Sequence, residues 1–358
     1  MIECRKCVLT SEIEDIEFDD DGVCSYCRKI EIEISRYDVS DKSQKLELIF
    51  NEIRNKSNSS EYDCIIGVSG GVDSSYLVYL AVENGINPLL VHVDTGWNTK
   101  ESVSNINKIV NKYDLDLYTH VIDWNEMAKL QEAFFAYKIL DCDIPQDHVF
   151  PPVLHMLASK FGIKSILSGH NIWTEFTLPR NWSMNSDDKM FISSVFESYT
   201  GEKLKKYPTY SKLKKFYYKK IKNIKDYRPL YFVDYNQFSV QEILKDEFDW
   251  KDYGGKHFES KLTKYFQSYY LYNYFGIDKR KAHLSNLIQT GQIEKEDALE
   301  ILKEKPYDES IVNNEKFVAD KLGYSVEGFR KLIGSKTLSS AIKSDFDTIF
   351  YKLYRKFS

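Results

Sequence analysis

The densest chemistry in the chain lies in Ser69-Gly70-Gly71-Val72-Asp73-Ser74-Ser75, preceded by Val68. Paired glycines let a backbone approach a polyphosphate closely and turn its N–H groups inward. Residues 63–68 read as a short buried strand and 74–83 as a helix ended by Asn84-Gly85. The loop therefore falls where a helix N-terminus adds positive potential to an anion site. Ser69, Ser74 and Ser75 supply hydroxyl donors. Bare phosphate would repel Asp73, so Asp73 is expected to reach Mg2+ carried on the polyphosphate. The loop lacks the Lys-Ser/Thr pair and spacing of Gly-x4-Gly-Lys-Ser/Thr, and it is not Gly-x-Gly-x-x-Gly. A second constellation is Cys4-x2-Cys7 with Cys24-x2-Cys27. Four thiolates at this spacing close a tetrahedral Zn2+ site with no open position, a structural metal. An iron–sulfur cluster or a redox pair is the alternative.

These residues need elements to hold them. From Tyr62 onward, apolar strand-like runs at 63–68, 88–93, 117–122 and 165–167 alternate with helical patterns at 74–83, 100–112, 124–138 and 152–161. Near-continuous apolar strands alternating with helices predict an α/β fold with a doubly wound parallel sheet. Ligands of such sheets bind beyond the carboxyl ends of the strands. Val93-Asp94 and Ser168-Gly169-His170-Asn171 end two of them. Asp94 reads as a ligand contact or as a helix N-cap, and His170 as a catalytic or an ordinary satisfied histidine. The expected organisation is a zinc-ribbon module with the start of a helix over 1–37, a linker helix over 38–61, the nucleotide domain over 62–235 and a helical C-terminal domain over 236–358. Within it, 203–225 is rich in lysine and tyrosine without a clean period, and reads as a solvated face or an RNA-phosphate contact. Residues 240–248, 261–275, 281–290 and 295–303 read as helices.

Bulk properties exclude several classes. A net charge of −5 gives no global attraction to nucleic acid or anionic membrane. No apolar run nears the roughly 18 residues that span a bilayer. The start Met-Ile-Glu-Cys-Arg-Lys-Cys has no signal-peptide core, so a cytoplasmic protein is expected, in which clustered cysteines favour metal over disulfides.

Ser69-Gly-Gly-x-Asp-Ser74 resembles the signature of the PP-loop, or N-type, ATP pyrophosphatases. The resemblance implies cleavage of ATP to AMP and pyrophosphate with adenylation of a substrate oxygen. It implies an ATP site of Val68, Ser69, Gly70, Gly71, Asp73, Ser74, Ser75, Val93, Asp94 and Gly169. Asp143-Ile-Pro-Gln-Asp-His148, Trp250-x2-Tyr253-Gly-Gly-Lys-His257-Phe-Glu-Ser260 and Asp278-Lys-Arg-x-Ala-His-Leu-Ser285, together with the cysteine pairs, look like the bacterial N-acetyl sugar amidotransferases of O-antigen and flagellin-glycan pathways. These segments could equally be helix packing and turns. By that resemblance, an acetamido oxygen is adenylated and replaced by ammonia to give an acetamidino group, and the ammonia comes from separate glutaminase and cyclase-like subunits. Residue 2 is Ile, so the chain has no N-terminal cysteine nucleophile of its own. Asp73, His170 and Asp143 are the expected catalytic groups, and Asp147, His148, Asn171, Lys256 and His257 the expected substrate contacts. A tRNA thiolase or lysidine-type ligase is the rival, with Cys142 as the sulfur carrier and Cys64 in the core. A nucleotide-binding regulator that has kept the fold is a third reading.

Overall fold

A computed structural model describes residues 2–37, 40–57, 60–338 and 342–344. The expected linker at 38–61 and the expected C-terminal domain therefore fall partly outside the described residues. Five strands form one parallel sheet: β1 Cys64–Gly67, β2 Pro88–Asp94, β3 Leu117–Val121, β4 Ser165–Leu167 and β5 Lys225–Tyr227, in the order β3-β2-β1-β4-β5. The strand order reverses beside β1, so the crevice at the carboxyl ends of β1 and β4 is the topological switch point. β5 was not expected. It is a three-residue edge strand whose Lys225 and Asp226 are exposed, so it carries no apolar signature.

Successive residues of β1 face opposite sides of the sheet. Ile65 joins Leu89, Val91 and Ile166 in one core, and Cys64 and Ile66 join Leu90 and Leu167 in the other. The helices are α1 Ser25–Tyr37, α2 Lys42–Lys56, α3 Val72–Glu83, α4 Lys100–Tyr113, α5 Trp124–Ala136, α6 Ile144–Asp147, α7 Phe150–Phe161, α8 Ile172–Glu175, α9 Lys189–Thr200, α10 Lys212–Phe216, α11 Gln237–Phe248, α12 Lys261–Tyr265, α13 Leu271–Phe275, α14 Arg280–Gln289, α15 Lys295–Ile301, α16 Ile311–Lys321 and α17 Val326–Leu332. α2, α3, α4 and α11 cover the Ile66 face, and α5, α7 and α9 cover the other.

Of the helices after residue 260, α14 and α15 form a small cluster of their own through Leu284, Ala298 and Val8, and the others pack into the core of the sheet. Leu262, Tyr265, Phe266, Leu271, Val318 and Phe329 join the cluster that contains Ile65 and Phe135. The cysteine module packs on α14 and α15. Lys295 donates to the Cys4 carbonyl at 2.7 Å, Gln289 to that of Lys6 at 2.9 Å, and the Ser285 hydroxyl accepts from the Val8 N–H at 3.4 Å. Of 203–225, the short helix α10 and a wide turn at Tyr217–Ile221 form, and Lys215, Lys219 and Lys225 pair with Asp187, Asp226 and Glu52. No described helix is long and apolar enough to cross a membrane.

Candidate active site

The loop after β1 turns at Gly70, whose φ of +77° favours glycine. A Cβ there would lie 2.1 Å from the Ser102 carbonyl oxygen at the start of α4. The Gly70 carbonyl accepts from Trp250 Nε1 and Asn105 Nδ2, both at 3.2 Å, so the turn is clamped from two elements. Gly169, after β4, lets its loop press against the first turn of α3, where a Cβ would meet the Ser74 nitrogen at 3.2 Å. Ser69 and Ser74 hydroxyls lie 3.3 Å apart at the mouth of this turn. Ser75 is buried behind them.

β2 supplies the next wall. His92 Nδ1 lies 3.0 Å from the Val68 carbonyl, and its Nε2 lies 3.1 Å from Asn98 Nδ2. These partners fix the neutral tautomer that donates from Nδ1, and they tie the ends of β1 and β2 together. Asp94 accepts from the Gly96 N–H at 2.8 Å and from Asn98 at 2.9 Å. It is not the cap of α4, because Thr99 fills that position by accepting from the Ser102 N–H at 3.1 Å. Val93 is buried beside it at the strand end.

Around the loop stands a charged ring. Asp73 accepts from the Tyr235 hydroxyl and from Lys256 Nζ at 2.5 Å. Lys256 also meets Glu175 at 2.9 Å and Thr174 Oγ1 at 3.2 Å, and His257 Nε2 lies 3.2 Å from Glu175. Burial opposes each charge, yet opposite neighbours win. Asp73 and Glu175 raise Lys256 above the usual lysine range, and Lys256 with His257 holds Glu175 well below the usual carboxylate range. Glu175 likewise raises His257 above burial's pull. His170 Nδ1 lies 3.0 Å from the Tyr231 hydroxyl, which also takes a bond from Arg228 at 3.1 Å. The Tyr231 hydroxyl then donates to Nδ1 and leaves the proton on Nε2. Burial holds His170 toward neutrality.

Asp147 is exposed to solvent at the end of α6, with Asp141, Lys279, His257 and Glu259 within electrostatic reach. Desolvation by the protein around it first, then Asp141, pushes its carboxyl up to about 7, while Lys279 and His257 pull the other way. Asp143 is sealed below, taking bonds from Gln146 Nε2 at 2.8 Å and Thr263 Oγ1 at 3.2 Å, and burial raises it strongly. His148 points elsewhere. It bonds the Ser186 carbonyl at 2.5 Å and accepts from the Tyr210 N–H at 3.3 Å. Asn171 is fully buried and caps α8 by accepting from the Thr174 N–H at 2.9 Å, although its Nδ2 has no hydrogen-bond partner.

The four N-terminal cysteines are all buried, with their sulfurs within 4.8 Å of one another. The Cys4–Cys27 and Cys7–Cys24 sulfur separations are both 3.7 Å, the edge of a tetrahedron with metal–sulfur bonds of about 2.3 Å. Backbone N–H groups of Lys6, Leu9, Cys24 and Cys27 point at these sulfurs, as thiolate ligands require. The donor set fits one tetrahedral ion. Cys142 and Cys64 are different: both are fully buried, with thiols that burial pushes up, and Cys142 Sγ donates to the Ile139 carbonyl at 3.3 Å.

Two parts of the chain match known protein families. Residues 63–141, which hold the glycine loop, match the phosphoadenosine phosphosulfate reductase domain family. Residues 259–357 match the C-terminal domain of WbpG-like lipopolysaccharide biosynthesis proteins. The chain joins a PP-loop superfamily domain to a WbpG-like C-terminal domain. PP-loop superfamily members are ATP-using enzymes. Over 128 residues the chain is 27% identical to the uncharacterized protein MJ1599 of Methanocaldococcus jannaschii, covering 35% of this chain and 45% of that one. It thus spans less than half the length of that relative. Among solved structures, it is similar to an NMN synthetase from Francisella tularensis at 15% identity and a TM-score of 0.37, over 86% of this chain and 98% of the other. It is also similar to the U34-tRNA thiolase NcsA of Methanococcus maripaludis, which holds a 4Fe-4S cluster, at 16% identity and a TM-score of 0.32, over 87% and 91% of the two chains.

The PP-loop thus gathers Ser69, Gly70, Gly71, Asp73, Ser74, Gly169, His170, Lys256 and His257 at one crevice, with the exposed Asp147 within electrostatic reach of His257. Asp143, His148 and Asn171 are turned into the protein. Tyr235, Glu175, Tyr253 and Glu259 also stand at the PP-loop, and sequence reasoning did not find them. The only available signal was Tyr253-Gly-Gly-Lys-His257-Phe-Glu, a glycine pair flanked by groups that could meet a phosphate.

Proposed function

We propose that this chain is an ATP-dependent amidotransferase acting on an N-acetylated sugar or nucleotide sugar. The acetamido oxygen attacks the α-phosphorus of ATP, the bond to pyrophosphate breaks, and the amide proton is lost. Ammonia adds to the resulting imidate carbon, and the C–O bond breaks to release AMP. The product is an acetamidino group. An acetamido oxygen is a poor leaving group by itself, so adenylation is the step that makes the substitution possible.

The observation that carries this reading is the position of the WbpG-like domain. Its match begins at Glu259, a residue that receives a hydrogen bond from Ser69 of the PP-loop, so the domain shared with lipopolysaccharide biosynthesis proteins walls the nucleotide crevice. Ser69, Ser74 and the N-terminus of α3 would hold the departing pyrophosphate, with dipoles fixed before charge develops. Asp73 fits a Mg2+ borne by the polyphosphate, a cation that would offset phosphate charge. Asp147, whose carboxyl is raised to about 7, would take the proton from an arriving ammonium, and His170 Nε2 would exchange one at the crevice. Ammonia would reach the cleft from separate glutaminase and cyclase-like subunits. Zn2+ in the four-cysteine module would have a structural role. The sealed thiols of Cys64 and Cys142 favour amidation over sulfur transfer, and the ion-paired lysines of 203–225 favour a solvated face over an RNA contact.

The test is incubation of the pure protein with ATP, ammonium and a panel of N-acetylated sugar nucleotides, in parallel with bulk tRNA. Release of AMP and pyrophosphate, with a product in which NH replaces one oxygen, is the expected result. Turnover dependent only on tRNA would overturn the proposal.

A further inference from the structure

The PP-loop already holds substitutes for a nucleotide. Two of its N–H groups are taken: Gly71 N–H by the Ser69 hydroxyl at 3.2 Å, and Val72 N–H by the Tyr253 hydroxyl at 3.2 Å. Glu259 Oε1 receives a hydrogen bond from the Ser69 hydroxyl at 3.3 Å and would be 2.9 Å from a Cβ on Gly71. Its other oxygen, Oε2, is buried with no hydrogen-bond partner. A carboxylate is thus seated at the mouth of an anion cradle. Lys256 meanwhile sits on Asp73, the carboxylate expected to face a cation on the polyphosphate.

We propose that Tyr253, Lys256 and Glu259 form an unassigned wall of the nucleotide site and trade places with the polyphosphate. On binding, the Tyr253 hydroxyl and the Glu259 carboxylate leave the loop, and Lys256 passes from Asp73 to a phosphate oxygen. This rests on the reading that the PP-loop binds ATP.

The segment is built for such an exchange. Its two ends are pinned to the start of α4. Asn105 holds Lys251 through both backbone groups, at 2.8 and 2.9 Å, and Trp250 holds Gly70. At the other end the Glu259 carbonyl accepts from the Thr99 N–H at 2.9 Å, and the Lys261 N–H donates to the Trp97 carbonyl at 2.8 Å. Between the pins run Gly254-Gly255 and His257, a non-glycine residue at a φ of +62° that L side chains rarely adopt. Glu259 therefore need only swing its side chain, while the turn at 253–257 carries Tyr253 and Lys256.

Calorimetric binding of MgATP and of magnesium pyrophosphate to the full chain tests this, with thermal melts on the same samples. Tyr253→Phe and Glu259→Gln each remove a competitor for the cradle, so each is expected to tighten binding, Glu259→Gln by about tenfold from the loss of one like charge. Tyr253→Phe should also lower the melting temperature of the ligand-free protein, because it deletes the hydrogen bond to the Val72 N–H. Lys256→Met is expected to weaken binding by about tenfold or more. A passive wall predicts affinity unchanged or reduced in Tyr253→Phe, which alters no charge, and that result would overturn the proposal. Failure of the native protein to bind either ligand would remove the ATP reading itself, and this wall with it.

Discussion

Gly70→Ala separates a phosphate cradle from a mere turn. Two costs follow from the structure. An alanine at a φ of +77° pays about 1–2 kcal/mol for the left-handed conformation. Its Cβ would also stand 2.1 Å from the Ser102 carbonyl oxygen, backbone at the head of a helix that cannot swing aside. Relief requires the loop or α4 to move by about 1 Å, and such overpacking costs about 1–3 kcal/mol more. Gly162→Ala is the control. Gly162 has a φ of +73° after α7, and a Cβ there meets nothing within 4 Å, so it bears only the first cost. The two variants should differ in nucleotide binding as well as in stability. A displacement near 1 Å of groups that grip phosphate costs on the order of a hundredfold. Calorimetric titration with ATP should therefore show Gly162→Ala within about threefold of native and Gly70→Ala weakened by about two orders of magnitude. If a folded Gly70→Ala protein bound ATP as the native chain does, the loop would not be the phosphate cradle.

Three further outcomes are expected. Elemental analysis should find one Zn2+ per native chain and none in Cys24→Ser, whose 1–37 module should become protease-sensitive because its contacts with α14 and α15 depend on the ordered cluster. Cys142→Ala should retain AMP-forming activity at the cost of about 1 kcal/mol of stability, and complete loss of turnover in folded protein would restore sulfur transfer. Asp147→Asn should flatten the pH dependence of stability. The native carboxyl keeps its proton to about pH 7 while the unfolded chain releases it near its ordinary value, so the native state binds more protons across that window and loses stability as pH rises through it. The drop in melting temperature between pH 5 and pH 8 should be smaller in the variant, and an unchanged drop would place Asp147 outside the cleft's electrostatics.

What the sequence disclosed was local. A strand, a glycine turn and a helix are contiguous over 63–83, so the PP-loop could be read from spacing alone, as could the cysteine pairs whose sulfurs meet in the folded module. The charged ring could not. Lys256 reaches Asp73 across 183 residues, and Tyr235 reaches it across 162. No local pattern marks a tyrosine or glutamate that a later helix will carry back to a strand end. The Asp143-Ile-Pro-Gln-Asp-His148 segment shows the same limit at short range. One turn of α6 leaves Asp147 exposed, while Asp143 is turned inward and His148 bonds Ser186 and Tyr210. Their spacing was visible, but the burial that sorts them depends on Thr263 and Lys279 from beyond residue 260.

The charge arrangement also constrains what can bind. Asp73, Glu175 and Glu259 face the loop, countered by Lys256 and by a His257 that Glu175 holds toward its charged form. A bare polyphosphate would bring several negative charges to a crevice with no cation to spare at its centre. Coulomb repulsion at 4 Å is about 4 kcal/mol per pair at an effective dielectric near 20, more than the cradle's few N–H bonds return. Binding therefore demands that cations arrive with the nucleotide and that Lys256 be released toward it. A Mg2+ ion held by Asp73 would weaken its hold on Lys256, so under the proposed exchange metal and lysine would act in sequence on one carboxylate. That coupling would give the crevice a preference for metal-bound triphosphate over metal-free nucleotide, and for ATP over AMP, which offers Lys256 no outer phosphate; equal calorimetric affinity for all of these would refute it.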